Sequence, residues 1–294
     1  MSPFRDHELV RHACEIAGLS SQRLQLLRSG ENSTWRVGPA VIARLARDGQ
    51  HQAAEREVAV AGWLAQHEFP AVRTLPLEFQ PVIVEGRAVT FWRSLGRHRP
   101  GSPTELAALL RRLHDLPTPT SFSPGRLEPM VRLRERIGAS SLITDADRSW
   151  LTELSVELAR RWLSRPDGLG ERVVHGDAWV GNVAVDDHGQ AVLLDLERTA
   201  VGPPEWDLVS TAIRLGSFAW ITAEEYTDFA SVYGHDVITW EGFELLRDIR
   251  ELRMTSYLLQ RAEDDPSLTD EAMHRVDCIR GRCGPRPWSW TASG

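Results

Sequence analysis

The chain reads as a two-lobed α+β protein, with a small mixed β-sheet lobe over residues 1–92 and a mainly helical lobe over residues 93–294. Three observations predict this. Before Trp92, short runs of β-forming residues are punctuated by glycine and proline. After it, apolar residues recur every three or four positions over long segments. One later β stretch, residues 173–196, interrupts those helices and gathers aspartate, asparagine and histidine. At 294 residues the chain can bury a substantial core, as one large domain or as two lobes sharing a cleft.

The elements follow in order. Residues 5–18 predict a helix, and residues 24–27, 34–37 and 41–45 predict strands separated by Gly30 and Gly38-Pro39. Residues 52–66 return to helical spacing, with Val58, Ala61 and Leu64 or Ala65 on one face. Residues 82–84 and 88–92 predict a hairpin turning at Glu85-Gly86. In the second lobe Thr104 is the expected N-cap of a helix carrying Leu106, Leu109, Leu110 and Leu113. Residues 146–164 and 241–260 predict further helices, and Thr222 with Glu225 forms a capping box.

Composition narrows the function. The 41 acidic and 34 basic residues give a formal charge of -7, which argues against a dedicated nucleic-acid surface and leans toward a cationic or neutral small molecule. All 34 basic residues are arginine. Without lysine, neither a Walker A loop nor a Schiff base can form, and arginine must hold any bound phosphate. Cys14, Cys278 and Cys283 are too few and scattered for a disulfide framework. With no apolar leader and no run of 18 apolar residues, the expectation is a soluble cytoplasmic protein with no membrane partner.

The chemistry concentrates in His175-Gly176-Asp177-Ala178-Trp179-Val180-Gly181-Asn182, followed by a strand, a turn at Asp186-Asp187-His188-Gly189, and a strand ending in Asp195-Leu196-Glu197. An aspartate and an asparagine five residues apart can converge on one reacting centre, and the hairpin returns Asp195 to the same end. Carboxylate and amide oxygens suit magnesium rather than a soft metal.

The HGDxxxxN pattern, the short hairpin and the DLE triplet resemble the aminoglycoside phosphotransferase family and its choline-kinase-like relatives. Gly202-Pro203-Pro204-Glu205-Trp206-Asp207-Leu208 resembles that family's G-x-P-x-x-D-L segment. Leu113-His114-Asp115-Leu116-Pro117 resembles its LH-x-LP helix end. The resemblance implies a protein-kinase-like fold and transfer of the γ-phosphoryl of ATP or GTP, aided by Mg2+, to a hydroxyl of a small molecule. An aminoglycoside or other antibiotic is the leading acceptor, and a sugar or amino alcohol the metabolic alternative. A nucleotide-binding pseudokinase is the reading from a different class.

Residue by residue, the resemblance assigns Asp177 to the acceptor hydroxyl, Asn182 and Asp195 to the metal, and His175 and Asp207 to bracing the loop, with Glu197 beside the metal or a cationic substrate. Gly30, Asn32 and Ser33 fall in the nucleotide-positioning loop, and Trp92 leads into the hinge that flanks the base. Arg44 takes the phosphate-anchoring place, with Arg47 as its competitor. Glu57 is its helix partner, with Glu55 as the alternative register.

Overall fold

Leu9, Val10 and Ala13 recur at helical spacing, and they bury one face of α1 (Pro3–Ile16) against a five-stranded sheet. The computed structural model describes residues 3–29 and 32–292. Strands β1 (Leu24–Arg28), β2 (Ser33–Val37) and β3 (Val41–Leu45) form a meander. The chain then returns through α2 (His51–Gln66), and β4 (Val82–Val84) and β5 (Arg87–Arg93) complete the order β1-β2-β3-β5-β4. Glu85 and Gly86, both at positive φ, make the expected tight turn.

Every pairing in this sheet is antiparallel, which corrects the expectation of a mixed sheet. The reason is topological: the return through α2 sets β5, not β4, beside β3. Side chains alternate across the strands, so Trp35, Ala43, Leu45, Val89 and Phe91 enter the core under α1. Thr34, Arg44 and Thr90, which are register partners, stand on the opposite face.

The remainder begins with β6 (His98–Pro100) and α3 (Pro103–His114). The N-cap of α3 is Ser102, two residues before the expected Thr104. Its hydroxyl accepts from the Glu105 N–H while the Glu105 carboxylate accepts from the Ser102 N–H, and Pro103 occupies the first turn, where no N–H is needed. Then follow α4 (Leu133–Ala139), α5 (Asp145–Leu163), β7 (Arg172–Val174), β8 (Val183–Asp186), β9 (Ala191–Leu193) and β10 (Ala200–Gly202). Helices α6 (Glu205–Gly216), α7 (Ala223–Tyr233), α8 (Phe243–Asp264) and α9 (Thr269–Ile279) complete the chain. The capping box at Thr222 and Glu225 starts α7 as read.

Strands β6, β8 and β9 form one small sheet, and β7 pairs with β10. A single apolar core joins Val60 and Leu64 of α2 and Trp92 to Leu110, Leu151, Trp206, Leu246 and Leu259. It is continuous across Trp92, and this shared packing holds the sheet over the helices.

Candidate active site

Buried β7 runs into His175, and the following loop is held from beneath by Asp207 in the first turn of α6. The Asp207 carboxylate, fully buried, accepts from the backbone N–H of His175 at 2.6 Å and of Gly176 at 2.9 Å. His114 Nε2 lies 3.1 Å from the same carboxylate, and His114 Nδ1 lies 2.8 Å from the Tyr233 hydroxyl. Burial alone would raise Asp207, but His114 and the His175 N–H together hold it below the usual carboxylate range. The Trp206 indole N–H donates to Gly176 O at 2.9 Å. Gly176 sits at φ +81°, and a Cβ there would run into the Arg198 carbonyl, so only glycine serves.

His175 is buried and fixes both ends of the hairpin. Its Nδ1 accepts from the Asp177 N–H at 3.3 Å, which leaves Nε2 to donate to Leu194 O at 2.8 Å. Asn182 Nδ2 donates to Asp177 O at 2.9 Å, which leaves the amide oxygen for another partner. The β8–β9 hairpin brings the Leu194 N–H to Asn182 O, and Asp195 follows in a left-handed conformation at φ 51°. That conformation is uncommon for a non-glycine residue and aims Asp195 back toward β3.

There Asp195 meets Arg44. The Arg44 guanidinium donates to Glu57 of α2 at 2.6 Å, Asp195 at 3.1 Å and Glu197 at 2.9 Å, and Asn32 also donates to Glu197 at 2.9 Å. One cation thus faces three carboxylates, a formal excess of two negative charges. Burial, then the shared carboxylates, act on this cluster in opposite senses. Arg44 is raised, Asp195 is lowered, and buried Glu57, whose cation is divided among three partners, is pushed up to about 7. A cluster of hard oxygens with excess negative charge fits Mg2+.

Asp177 is half-exposed beside this cluster, with Arg250 Nη1 of α8 3.8 Å away. A cleft of about 770 Å³ opens along Gly176, Glu197, Arg198, Trp206 and Arg253, with residues 124–132 and the start of α2 forming its other wall.

The structure therefore brings together Asp177, Asn182, Asp195, Arg44, Glu57, Asn32 and Glu197, braced by His175 and Asp207. Arg44 and Glu57 are partners, whereas Arg47 lines the cleft and Glu55 contacts His51. Ser33 is not brought in. It precedes Thr34 on β2 and so faces α1, where its hydroxyl donates to Asp6 and accepts from the Trp35 indole. Trp92 shares the Arg44 face but is 6% exposed in the common core, its indole N–H donating to Thr90. Its ring is a packing element rather than an open platform for a base. Gly30 lies outside the described residues.

Sequence reasoning left His114, Arg198, Arg250 and Arg253 without roles. Arg250 carried a readable signal, because it stands among Leu245, Ile249 and Leu252 on the apolar side of α8.

This architecture, with an antiparallel sheet over a helical lobe and a loop-hairpin site between them, defines a protein-kinase-like small-molecule phosphotransferase fold. Residues 23–246 match the family described as the phosphotransferase enzyme family (APH), and the chain belongs to that family. Aminoglycoside phosphotransferase APH(3'')-Id from Streptomyces rimosus superposes with a TM-score of 0.63 at 21% identity, covering 85% of this chain and 98% of that one. Choline kinase LicA from Streptococcus pneumoniae gives 0.64 at 13% identity, covering 93% and 99%. Amicoumacin kinase hAmiN, solved with AMP-PNP, Ca2+ and Ami, gives 0.71 at 14% identity, covering 93% of each chain. At these identities the likeness is one of fold. A search of curated protein sequences gave no match. Among the described residues no helix is long and apolar enough to cross a membrane.

Proposed function

We propose that the protein transfers the γ-phosphoryl group of ATP or GTP to a hydroxyl of a small molecule. The observation that carries this reading is the convergence of Arg44, Glu57 and Asp195 from positions far apart in sequence onto the Asp177–Asn182 loop. Arg44, anchored by Glu57, forks onto nucleotide phosphate oxygens, a task that planar guanidinium performs in place of lysine. Asn182 and Asp195 hold Mg2+, which when bound neutralises charge on the phosphates. Asp177 orients the acceptor hydroxyl and takes its proton as the new O–P bond forms. The bond between the γ-phosphorus and its bridging oxygen breaks, and the nucleoside diphosphate leaves.

Solved relatives include kinases named for aminoglycosides, amicoumacin and choline, so both antibiotic and metabolic acceptors occur on this fold. The arginine-lined cleft beside Asp177 favours the metabolic reading over a polycationic aminoglycoside. The test is magnesium-dependent release of ADP or GDP across aminoglycosides, sugars, amino alcohols and their acidic derivatives, with Asp177→Ala as control. Release by the variant at the parent rate with the same acceptor would remove Asp177 from this role. Absence of acceptor-dependent release throughout would favour a nucleotide-binding module.

A further inference from the structure

The chain as a whole is acidic, but the cleft beside Asp177 is not. Its lining carries Arg47, Arg56, Arg126, Arg132, Arg198 and Arg253 against four carboxylates, Asp48, Glu128, Glu135 and Glu197. Arg126 is paired to Glu171, and Glu197 is already held by Arg44. No carboxylate among the described residues lies within salt-bridge distance of Arg56, Arg198 or Arg253. Arg253 is fixed by donating to Pro129 O at 2.6 Å and by lying 5.6 Å from the Trp206 ring centre. One turn earlier, buried Arg250 stacks 4.0 Å from the same ring, donates to Trp206 O at 3.0 Å and, among the described residues, has Asp177, at 3.8 Å, as its one carboxylate within salt-bridge distance. Burial, then repulsion from Arg250 and Arg198, pushes Arg253 down to about 9.

Positive charges packed this closely and partly withdrawn from water are costly unless an anion joins them. We propose that the acceptor hydroxyl belongs to an anionic small molecule whose carboxylate or phosphate is held by Arg253 and Arg198, placing the hydroxyl before Asp177. This rests on the phosphotransferase reading and supplies its acceptor class. Arg253 is held by its bond to Pro129 O, and the planar forks of both arginines match either oxyanion.

The test separates binding from turnover. Intrinsic tryptophan fluorescence of the full chain, in which Arg250 and Arg253 both lie against Trp206, is titrated with inorganic phosphate, citrate and kanamycin. An anion should bind in the millimolar range or tighter, with at least a tenfold loss in both Arg253→Gln and Arg198→Gln and partial recovery in Arg253→Lys; kanamycin should bind more weakly. Anion binding that survives both substitutions, absence of anion binding, or tighter kanamycin binding overturns the proposal. Release of ADP or GDP with glycerol 3-phosphate, gluconate and glycerol then distinguishes the two oxyanions. Arg253→Gln should raise the acceptor KM at least tenfold and leave the nucleotide KM unchanged; a rise in the nucleotide KM alone reassigns Arg253 to the nucleotide. If anions bind as described and no acceptor is turned over, the phosphotransferase reading fails while the anion site stands.

A separate cluster lies at the far end of the chain. His274 and Cys278, four residues apart on α9, meet Cys283 from the following turn, with one ligand atom of each within 4.8 Å of the others. His274 Nδ1 is 3.9 Å from Cys278 Sγ and 3.8 Å from Cys283 Sγ, and its Nε2 is 3.6 Å from Cys278 Sγ. Tetrahedral zinc requires N···S edges of about 3.6 Å and S···S edges of about 3.8 Å, from its usual bond lengths. His274 Nε2 also lies 3.4 Å from the Ser289 hydroxyl.

We infer that His274, Cys278 and Cys283 bind Zn2+ through the imidazole and two thiolates once the His274 ring turns one nitrogen toward both sulfurs, with the fourth position open to solvent, clamping α9 to the tail that carries Trp288 and Trp290. Reduced full-length protein, dialysed with Zn2+ and then against buffer, should retain one zinc per chain by elemental analysis. Cobalt substitution should give thiolate charge-transfer absorption. Cys283 is exposed, so Cys283→Ser should fold and lose at least tenfold in zinc affinity, as should His274→Ala. Unchanged affinity in both variants, no retained zinc, or a Cys278–Cys283 disulfide in the freshly reduced, metal-loaded protein refutes the site.

Discussion

Replacing Glu57 by glutamine probes the charge balance at the centre of the site. Glu57 is 5% exposed, and its carboxyl is raised from 4.5 to about 7 by burial and by sharing Arg44 with Asp195 and Glu197. Between pH 4.5 and 7 the folded protein therefore holds a proton on Glu57 that the unfolded chain releases. The stabilising contribution of that proton is complete below pH 4.5 and is lost as pH rises through 7. A shift of this size corresponds to about 3 kcal/mol. Urea unfolding of parent and Glu57→Gln at pH 5, 6, 7 and 8 without magnesium should show the parent losing up to about 3 kcal/mol relative to the variant over that range. Magnesium with nucleotide should reduce the difference at pH 8 by compensating the excess carboxylates. Parallel stability curves for the two proteins from pH 5 to 8 would refute the reasoning, because Glu57 would then titrate alike in both states.

Three further outcomes follow from the geometry. Asp177→Asn should lower turnover by about 10² to 10⁴ in steady-state kinetics and also lower the urea midpoint, since it takes from buried Arg250 the carboxylate 3.8 Å away. Asp207→Ala should cost about 3–5 kcal/mol in urea unfolding and abolish turnover, because it strands His114 and the His175 and Gly176 N–H groups in the core. Ser102→Ala, which removes the side-chain cap of α3 and the contact with the Thr104 hydroxyl, should cost about 1 kcal/mol with KM and kcat intact, measured by urea unfolding and steady-state kinetics.

Much of the fold was legible because its signals are local. The bounds of β3 and β4 agree with the sequence reading, and those of α2 and α5 differ by one residue, since period-two and period-3.6 patterns need only neighbours along the chain. Helices α4, α6 and α9 and the short strands β6, β7 and β10 were not read, the strands because three residues carry too little pattern. The start of α3 was misplaced because Ser102 and Thr104 are both capping residues. Only the Glu105 carboxylate returning to the Ser102 N–H decides between them.

By itself the sequence determined the kinase-like class, the Asp177–Asn182 loop, the hairpin returning Asp195, and the replacement of lysine by arginine. Tertiary structure alone decided that Arg44 is shared by three carboxylates, two of them more than 150 positions away. It also turned Ser33 toward α1, buried Trp92, and brought Arg198 from a turn beside Arg250 and Arg253 of α8 in an otherwise acidic protein. Local pattern specifies which face of an element is apolar. The charge of a cleft depends on which distant polar side chains the packing of those faces leaves together, and net charge averages that information away.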